Sequence, residues 1–256
     1  MDLSGAGQQT SALALDGVAM SETGRRSNNE DSAFASPRMA VVADGVGGAA
    51  AGEIASVSIV NALVSLDKRR LDDELGRELA SAVDWGNAAI GLVTTAQPET
   101  AGMSTTLSAV AISNEGCFVV ANVGDSRSYL LRQGRLEQLT SDESLVGELV
   151  RSGQITPEQA AVHPQRSVVM RALDGGEERE PAIHSLRAQL GDRVLVCSDG
   201  LSDYVSDEAI GGLLASGDPR RAAEALIERA LDCESRDNVS VVVADVIEAA
   251  EPAWVK

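Results

Sequence analysis

The stretch Met39-Ala40-Val41-Val42-Ala43-Asp44-Gly45-Val46-Gly47-Gly48 decides the architecture. A short apolar run closes on an acid, glycines follow at once, and a helical pattern begins near Ala50 or Gly52. An apolar run of this length reads as a buried β-strand. A strand that stops on a carboxylate holds that group rigidly at the end of its sheet. A glycine beside it lets the next carbonyl approach whatever the carboxylate holds. One bridging Asp and a main-chain oxygen can build a metal site in this way. Asp-Gly is also an ordinary turn dipeptide, so the reading depends on what the rest of the chain sets beside it.

Working outward, the same design recurs. Residues 117–123 run into Gly124-Asp125-Ser126-Arg127, and 193–197 run into Ser198-Asp199-Gly200-Leu201-Ser202-Asp203. Asp237 stands just before a last apolar strand over 239–246. One strand-end aspartate is common in turns; four of them, Asp44, Asp125, Asp199 and Asp237, point to convergence on one pocket. No His or Cys ligand accompanies them, so the site would be all oxygen. Such sites suit Mg²⁺ or Mn²⁺ rather than zinc. A Walker-type phosphate loop is absent, and the acids are too dispersed for a calcium loop.

Upstream lies a polar cluster, Thr23-Gly24-Arg25-Arg26-Ser27-Asn28-Asn29-Glu30-Asp31. It reads either as a solvated loop or as a clamp in which one arginine holds an anion and one acid orients a metal-bound water. The planar fork of arginine suits phosphate well.

Composition narrows the function. The chain has 256 residues, 44% hydrophobic and 23% charged, enough to bury a real core. Only 2% of residues are aromatic and the net charge is −18. Both argue against nucleic-acid partners, which call for stacking platforms and basic patches. A phosphorylated substrate is compatible with this charge if cations supply the local positive potential. The three cysteines, Cys117, Cys197 and Cys233, show no CxxC spacing, which argues against a disulfide or zinc framework; Cys117 and Cys197 lie in apolar runs and read as small core residues. No stretch is long and apolar enough to cross a membrane. We expect a cytoplasmic protein with a loose N-terminal tail over 1–11, one domain over 12–248 and a short C-terminal tail over 249–256.

The element order is strands in the middle of the chain with helices before and after, an α+β pattern rather than βαβα alternation. A first strand is expected over 12–22, helices over 52–66 and 71–93, and hairpins at Asn114-Glu115-Gly116 and Gln133-Gly134. Residues 141–175 change character. Helical pieces are predicted at 144–152 and 158–162, the second started by Thr156, Pro157 and Gln159. His163-Pro164-Gln165-Arg166-Ser167 follows. The segment reads as a mobile flap over a cleft or as a structural connector. Two further helices, 206–215 and 219–231, precede the last strand.

Taken together, these blocks resemble the metal-dependent Ser/Thr protein phosphatases of the PPM (2C-like) family, especially the compact bacterial members. The matching stretches are Arg26 to Asp31, Val42 to Gly48 with Gly52-Glu53, Gly102 to Thr106, Gly124 to Arg127, Cys197 to Asp203, and Asp237-Asn238. They stand in family order. The resemblance implies a four-layer α-β-β-α sandwich, two antiparallel sheets with helices outside each, and a binuclear centre in the cleft at one end.

Carried over position by position, Asp44 would bridge both metals and the Gly45 carbonyl would bind one of them. Asp199 and Asp237 would hold the other. Glu30 and Asp31 would act through waters on the metals. Asp125 with Asp199 would form a third-metal site, with Ser167 of the flap as a neighbour. Arg26, spaced like the family arginine relative to Glu30, would bind the substrate phosphate. The cofactors implied are two Mn²⁺ or Mg²⁺ ions, with a third at Asp125. The partners implied are phosphorylated proteins and an opposing Ser/Thr kinase, and a monomer is expected. A histidine that eukaryotic relatives often carry after Asp-Gly is replaced by Val46. His163 in the flap is an alternative proton donor or a solvated loop residue. Two other readings remain beside general phosphoprotein hydrolysis: a phosphatase dedicated to one signalling partner, and a pseudophosphatase that binds without turnover.

Overall fold

The computed structural model of the protein describes residues 12–48, 51–67, 74–177 and 179–249. The N-terminal tail, all but Ala249 of the C-terminal tail, and the expected helix starts at Ala50 and Leu71 lie outside the described residues. Strand β3 (Met39–Ala43) is buried along its whole length. Met39, Val41 and Ala43 pack beneath helices α1 (Ala51–Asp67) and α2 (Leu75–Ala96). Ala40 and Val42 point the other way, into the space between two sheets. Covering both faces is what removes the polar alternation usual in antiparallel strands.

The sheet around β3 also contains β2 (Ser32–Ala35), β6 (Leu107–Ile112), β7 (Cys117–Val123) and β10 (Ala182–Arg187), in the order β10-β7-β6-β3-β2. The facing sheet runs β1-β12-β11-β8-β9, from β1 (Leu13–Glu22), β8 (Arg127–Arg132), β9 (Arg135–Gln138), β11 (Arg193–Cys197) and β12 (Val239–Glu248). All the pairings are antiparallel. Outside the second sheet lie α6 (Asp207–Leu214) and α7 (Pro219–Asp232), packed on Val239, Val241 and Val243 of β12. Helix, sheet, sheet and helix thus form the expected four layers. Among the described residues no helix is long and apolar enough to cross a membrane.

With so few aromatics, the inter-sheet core is built from Val, Ala, Leu and Ile around Phe118. Small side chains on twisted sheets interdigitate at the close spacing that face-to-face packing requires. Two edge strands, β2 and β10, went unread in the sequence. β2 is only half-buried and β10 mostly exposed, so neither carries the apolar signal of the inner strands. Cys197 is fully buried, and burial pushes its thiol up to about 12, as suits an inert core residue.

The flap contains α3 (Leu145–Arg151), capped by Ser144, and α4 (Pro157–Ala161), whose start is the capping box of Thr156 and Gln159. Both ends of this segment are tied to the sandwich. Glu143 exchanges backbone and side-chain hydrogen bonds with Gly124, and Leu173 pairs with Thr105.

Candidate metal and phosphate site

Asp44 follows β3 directly, and its backbone is pinned by the next strand over. Thr106 Oγ1 accepts from the Asp44 N–H at 3.1 Å, while Thr105 Oγ1 and the Thr106 N–H donate to its carbonyl at 2.9 Å each. Thr106 Oγ1 also meets Ser126 Oγ at 2.7 Å, which ties the Asp44 strand end to the loop carrying Asp125. Gly45 and Val46 form a short strand, β4 (Gly45–Val46), against β5 (Ser104–Thr105). A Cβ at Gly45 would strike the carbonyls of Gly52 and Glu30. Only glycine lets β4, the start of α1 and the Glu30 segment converge. Gly200 is under the same constraint, packed against the Asn238 carbonyl.

Around Asp44 the other acids gather. Asp199 opens the short helix α5 (Asp199–Ser202) at the end of β11. Asp31 accepts from Ser198 Oγ at 2.9 Å. Burial, and then the charges of Asp31, Asp199, Asp237 and Asp125, hold the Asp44 carboxyl well above the ordinary carboxylate range. Asp199 is raised in the same way, by burial and then by Asp125, Asp203 and Asp237. Burial pushes Asp31 up to about 6 and Asp125, with Asp142 adding to it, up to about 7. Glu30 Oε1 and Asp199 Oδ1 are buried with no hydrogen-bond partner.

Buried, mutually repelling, under-bonded carboxylates are a donor set lacking positive charge. They fit hard divalent cations, for which oxygen ligands and no His or Cys are the expected chemistry. Among the described residues no three acid, His or Cys side chains are drawn together around a single point. Asp237 is turned onto Arg26, whose Nη2 donates to Asp237 Oδ2 at 2.6 Å. Arg26 also donates to the Arg236 carbonyl, while Arg25 pairs with Glu234 out in solvent. Arg26 is therefore the arginine that faces the acids, and Arg25 belongs to the solvated rim.

The flap residues stand apart from this group. His163 Nδ1 accepts from the Gln165 N–H, a local turn contact, and Ser167 is exposed. Arg166 reaches Asp203 Oδ2 at 3.6 Å. Val46 is 54% exposed beside the cleft, so nothing in its place acts on a proton.

Asn238, a residue whose role the sequence alone does not reveal, is the hub of the site. Its Nδ2 donates to the carbonyls of Thr23 and Asn28, and its Oδ1 accepts from the Glu30 N–H, all at 2.9 Å. The loop bearing Arg26 and Glu30 is thereby fastened to the loop bearing Asp237. The only sequence signal is an amide directly after a strand-end acid, where two donors and one acceptor can be used at once. Asn238→Ala should cost about 2–4 kcal/mol by leaving buried groups unpaired. That corresponds to a melting point lower by roughly 5–15 °C in a calorimetric scan.

The sequence profile of the protein phosphatase 2C family matches residues 21–245. The chain belongs to the protein phosphatase 2C family. This 2C phosphatase chain is 47% identical over 237 residues to the serine/threonine protein phosphatase PstP of Mycobacterium tuberculosis, covering 92% of the present chain and 46% of the relative. It thus spans about half the length of the mycobacterial relative. It is 36% identical over 210 residues to the serine/threonine phosphatase stp of Listeria monocytogenes, covering 80% of this chain and 83% of that one.

Among solved structures, the M. tuberculosis PstP crystal structure superposes with a TM-score of 0.88 at 47% identity, covering 91% of this chain and 98% of the other. The PstP catalytic domain in complex with two manganese ions gives 0.86 at 45% identity, covering 92% and 99%. The 2C fold expected from the motifs is the fold observed.

Proposed function

We propose that this chain hydrolyses phosphoserine and phosphothreonine in proteins, using two divalent cations, Mn²⁺ or Mg²⁺, with a third at Asp125. The convergence of strand-end carboxylates on Asp44 carries the reading, and the two manganese ions of the PstP catalytic domain support it. When bound, such ions make a water molecule acidic enough to attack at neutral pH and offset charge on the phosphoryl oxygens.

The chain's own residues set the stage for direct, in-line displacement on phosphorus. Asp44 and the Gly45 carbonyl supply rigid oxygens, because Thr105 and Thr106 hold that backbone still. Asp199 and Asp237 close the opposite side. Glu30 and Asp31 accept hydrogen bonds from solvent and orient it. Arg26 offers its fork to the phosphate once Asp237 is engaged elsewhere, exchanging one anion for another at little cost. No Cys is present among these residues, and Ser198, whose hydroxyl donates to Asp31, is wholly buried, which agrees with hydrolysis free of a phosphoenzyme. The reading extends to an opposing Ser/Thr kinase, to a signalling role and to a monomer working in the cytoplasm.

Hydrolysis of p-nitrophenyl phosphate and of a phosphothreonine peptide, with Mn²⁺, with Mg²⁺ and with chelator, tests this. Turnover with either cation and none after chelation is expected. Turnover that survives complete chelation would reject the metal mechanism, and none under any condition would favour a binding protein.

A further inference from the structure

Beside the carboxylate cluster, the flap and the outer end of the second sheet enclose a cavity of about 730 Å³. It begins at Asp125 and Asp203 and runs outward between α4 and the start of α6. Val146 and Val150 make one wall apolar. The remaining lining carries more acids than arginines, Asp125, Asp142, Glu158, Asp203 and Asp207 against Arg127, Arg151 and Arg166, and the arginines are mostly engaged. Arg127 gives its Nε and Nη2 to Asp142 at 2.6–3.0 Å and its Nη1 to Tyr129. Arg151 is bound by Glu148, Ser141 and the Asp142 carbonyl. Arg166 meets Asp203 only at 3.6 Å.

Among the described residues, two carboxylates on the cavity's outer rim pair with no cation. Asp207 accepts from the hydroxyl of the fully buried Tyr129 at 3.1 Å, which fixes its direction. Glu158, in the first turn of α4, lines the same cavity, hydrogen-bonded to Thr156 and open to solvent. At the inner end Asp125 is only 7% exposed and takes no hydrogen bond from another described residue. The cavity is therefore concave and pre-shaped, continuous with the reaction centre, and short of positive charge at its outer rim and at Asp125.

We propose that this cavity seats the polypeptide flanking the phosphorylated residue, and that Asp207 and Glu158 select substrates carrying Lys or Arg there. The inference rests on the phosphatase reading. A chain of net charge −18 repels a phosphorylated protein at a distance. A cationic flank offsets that repulsion, and its aliphatic stem lies along Val146 and Val150 while its head reaches the rim acids. A phosphorylated protein with an acidic flank meets repulsion at both points.

Binding of two matched fluorescent peptides to the Mn²⁺-loaded full chain tests this. Each carries an uncleavable phosphonate in place of the phosphothreonine ester, flanked by Arg in one and Glu in the other. At about 50 mM salt the Arg peptide should bind about tenfold more tightly than the Glu peptide. The double variant Asp207→Asn, Glu158→Gln should bring the two within about twofold, with p-nitrophenyl phosphate turnover unchanged. Equal binding by the unaltered chain, or a preference that persists in the double variant, would overturn the proposal. Discrimination by a protein that turns over no phosphoester would sink the phosphatase reading and leave the groove standing.

Discussion

Asp44→Asn is expected to abolish turnover and at the same time to raise the melting temperature of the metal-free protein. Asp31, Asp199, Asp237 and Asp125 all bear on Asp44, and on the proposed reading it would serve both cations. An amide keeps the shape and the backbone contacts to Thr105 and Thr106 but loses the charge that would hold the cations. Loss of a single preorganised donor at a reacting centre typically costs about a hundred- to a thousandfold. Loss of a shared ligand should exceed that, to more than about a thousandfold in kcat.

Stability should move the other way. Burial and four neighbouring aspartates make the Asp44 charge unfavourable in the folded chain. An uncharged isostere removes that repulsion, and each kcal/mol regained is worth roughly 2–4 °C in a domain of this size. Calorimetry in chelator, beside a turnover assay in Mn²⁺, separates the two effects. A variant that is inactive and also less stable would mean that Asp44 is a structural residue.

Metal removal and pH should be coupled with equal force. Asp31 titrates at about 6 and Asp125 at about 7 in the folded chain, against an unfolded value near 3.8. A carboxyl whose folded value is raised binds more protons folded than unfolded, so its proton favours the fold. That contribution is present at low pH and is lost as pH rises from about 4 through about 7. Asp31 alone accounts for on the order of 3 kcal/mol across this window. Chelated protein should therefore melt several degrees lower at pH 8 than at pH 5.5. Saturating Mn²⁺ should reverse the order, since cation binding requires the deprotonated acids. Denaturation scans at the two pH values with and without the ion read this directly. A chelated protein that is more stable at pH 8 would contradict the clustering of charge described here.

Much of this was legible in the chain itself. The inner strands announce themselves because they are covered on both faces, so β3, β6, β7, β11 and β12 read as mostly apolar runs. The helix starts at Thr156, Ser206 and Asp218 are local chemistry, a side-chain oxygen meeting a free N–H, and need no tertiary partner. The edge strands β2 and β10 left no such trace, because a strand with one open side carries polar residues much like a loop. Asn238 was likewise silent, its three partners lying more than two hundred residues away in sequence.

What the sequence determined by itself was the inventory: four acids, each placed at one end of a strand, an oxygen-only set of the kind that suits hard cations. Folding alone decided which charges meet. Two sheets stacked face to face bring Asp44 from one and Asp199 from the other to a common end, with Arg26 turned onto Asp237 and the flap base stitched to Gly124. Electrostatic repulsion falls off with distance and grows with burial, so the strength of the site is a property of the packing, not of the residues taken singly.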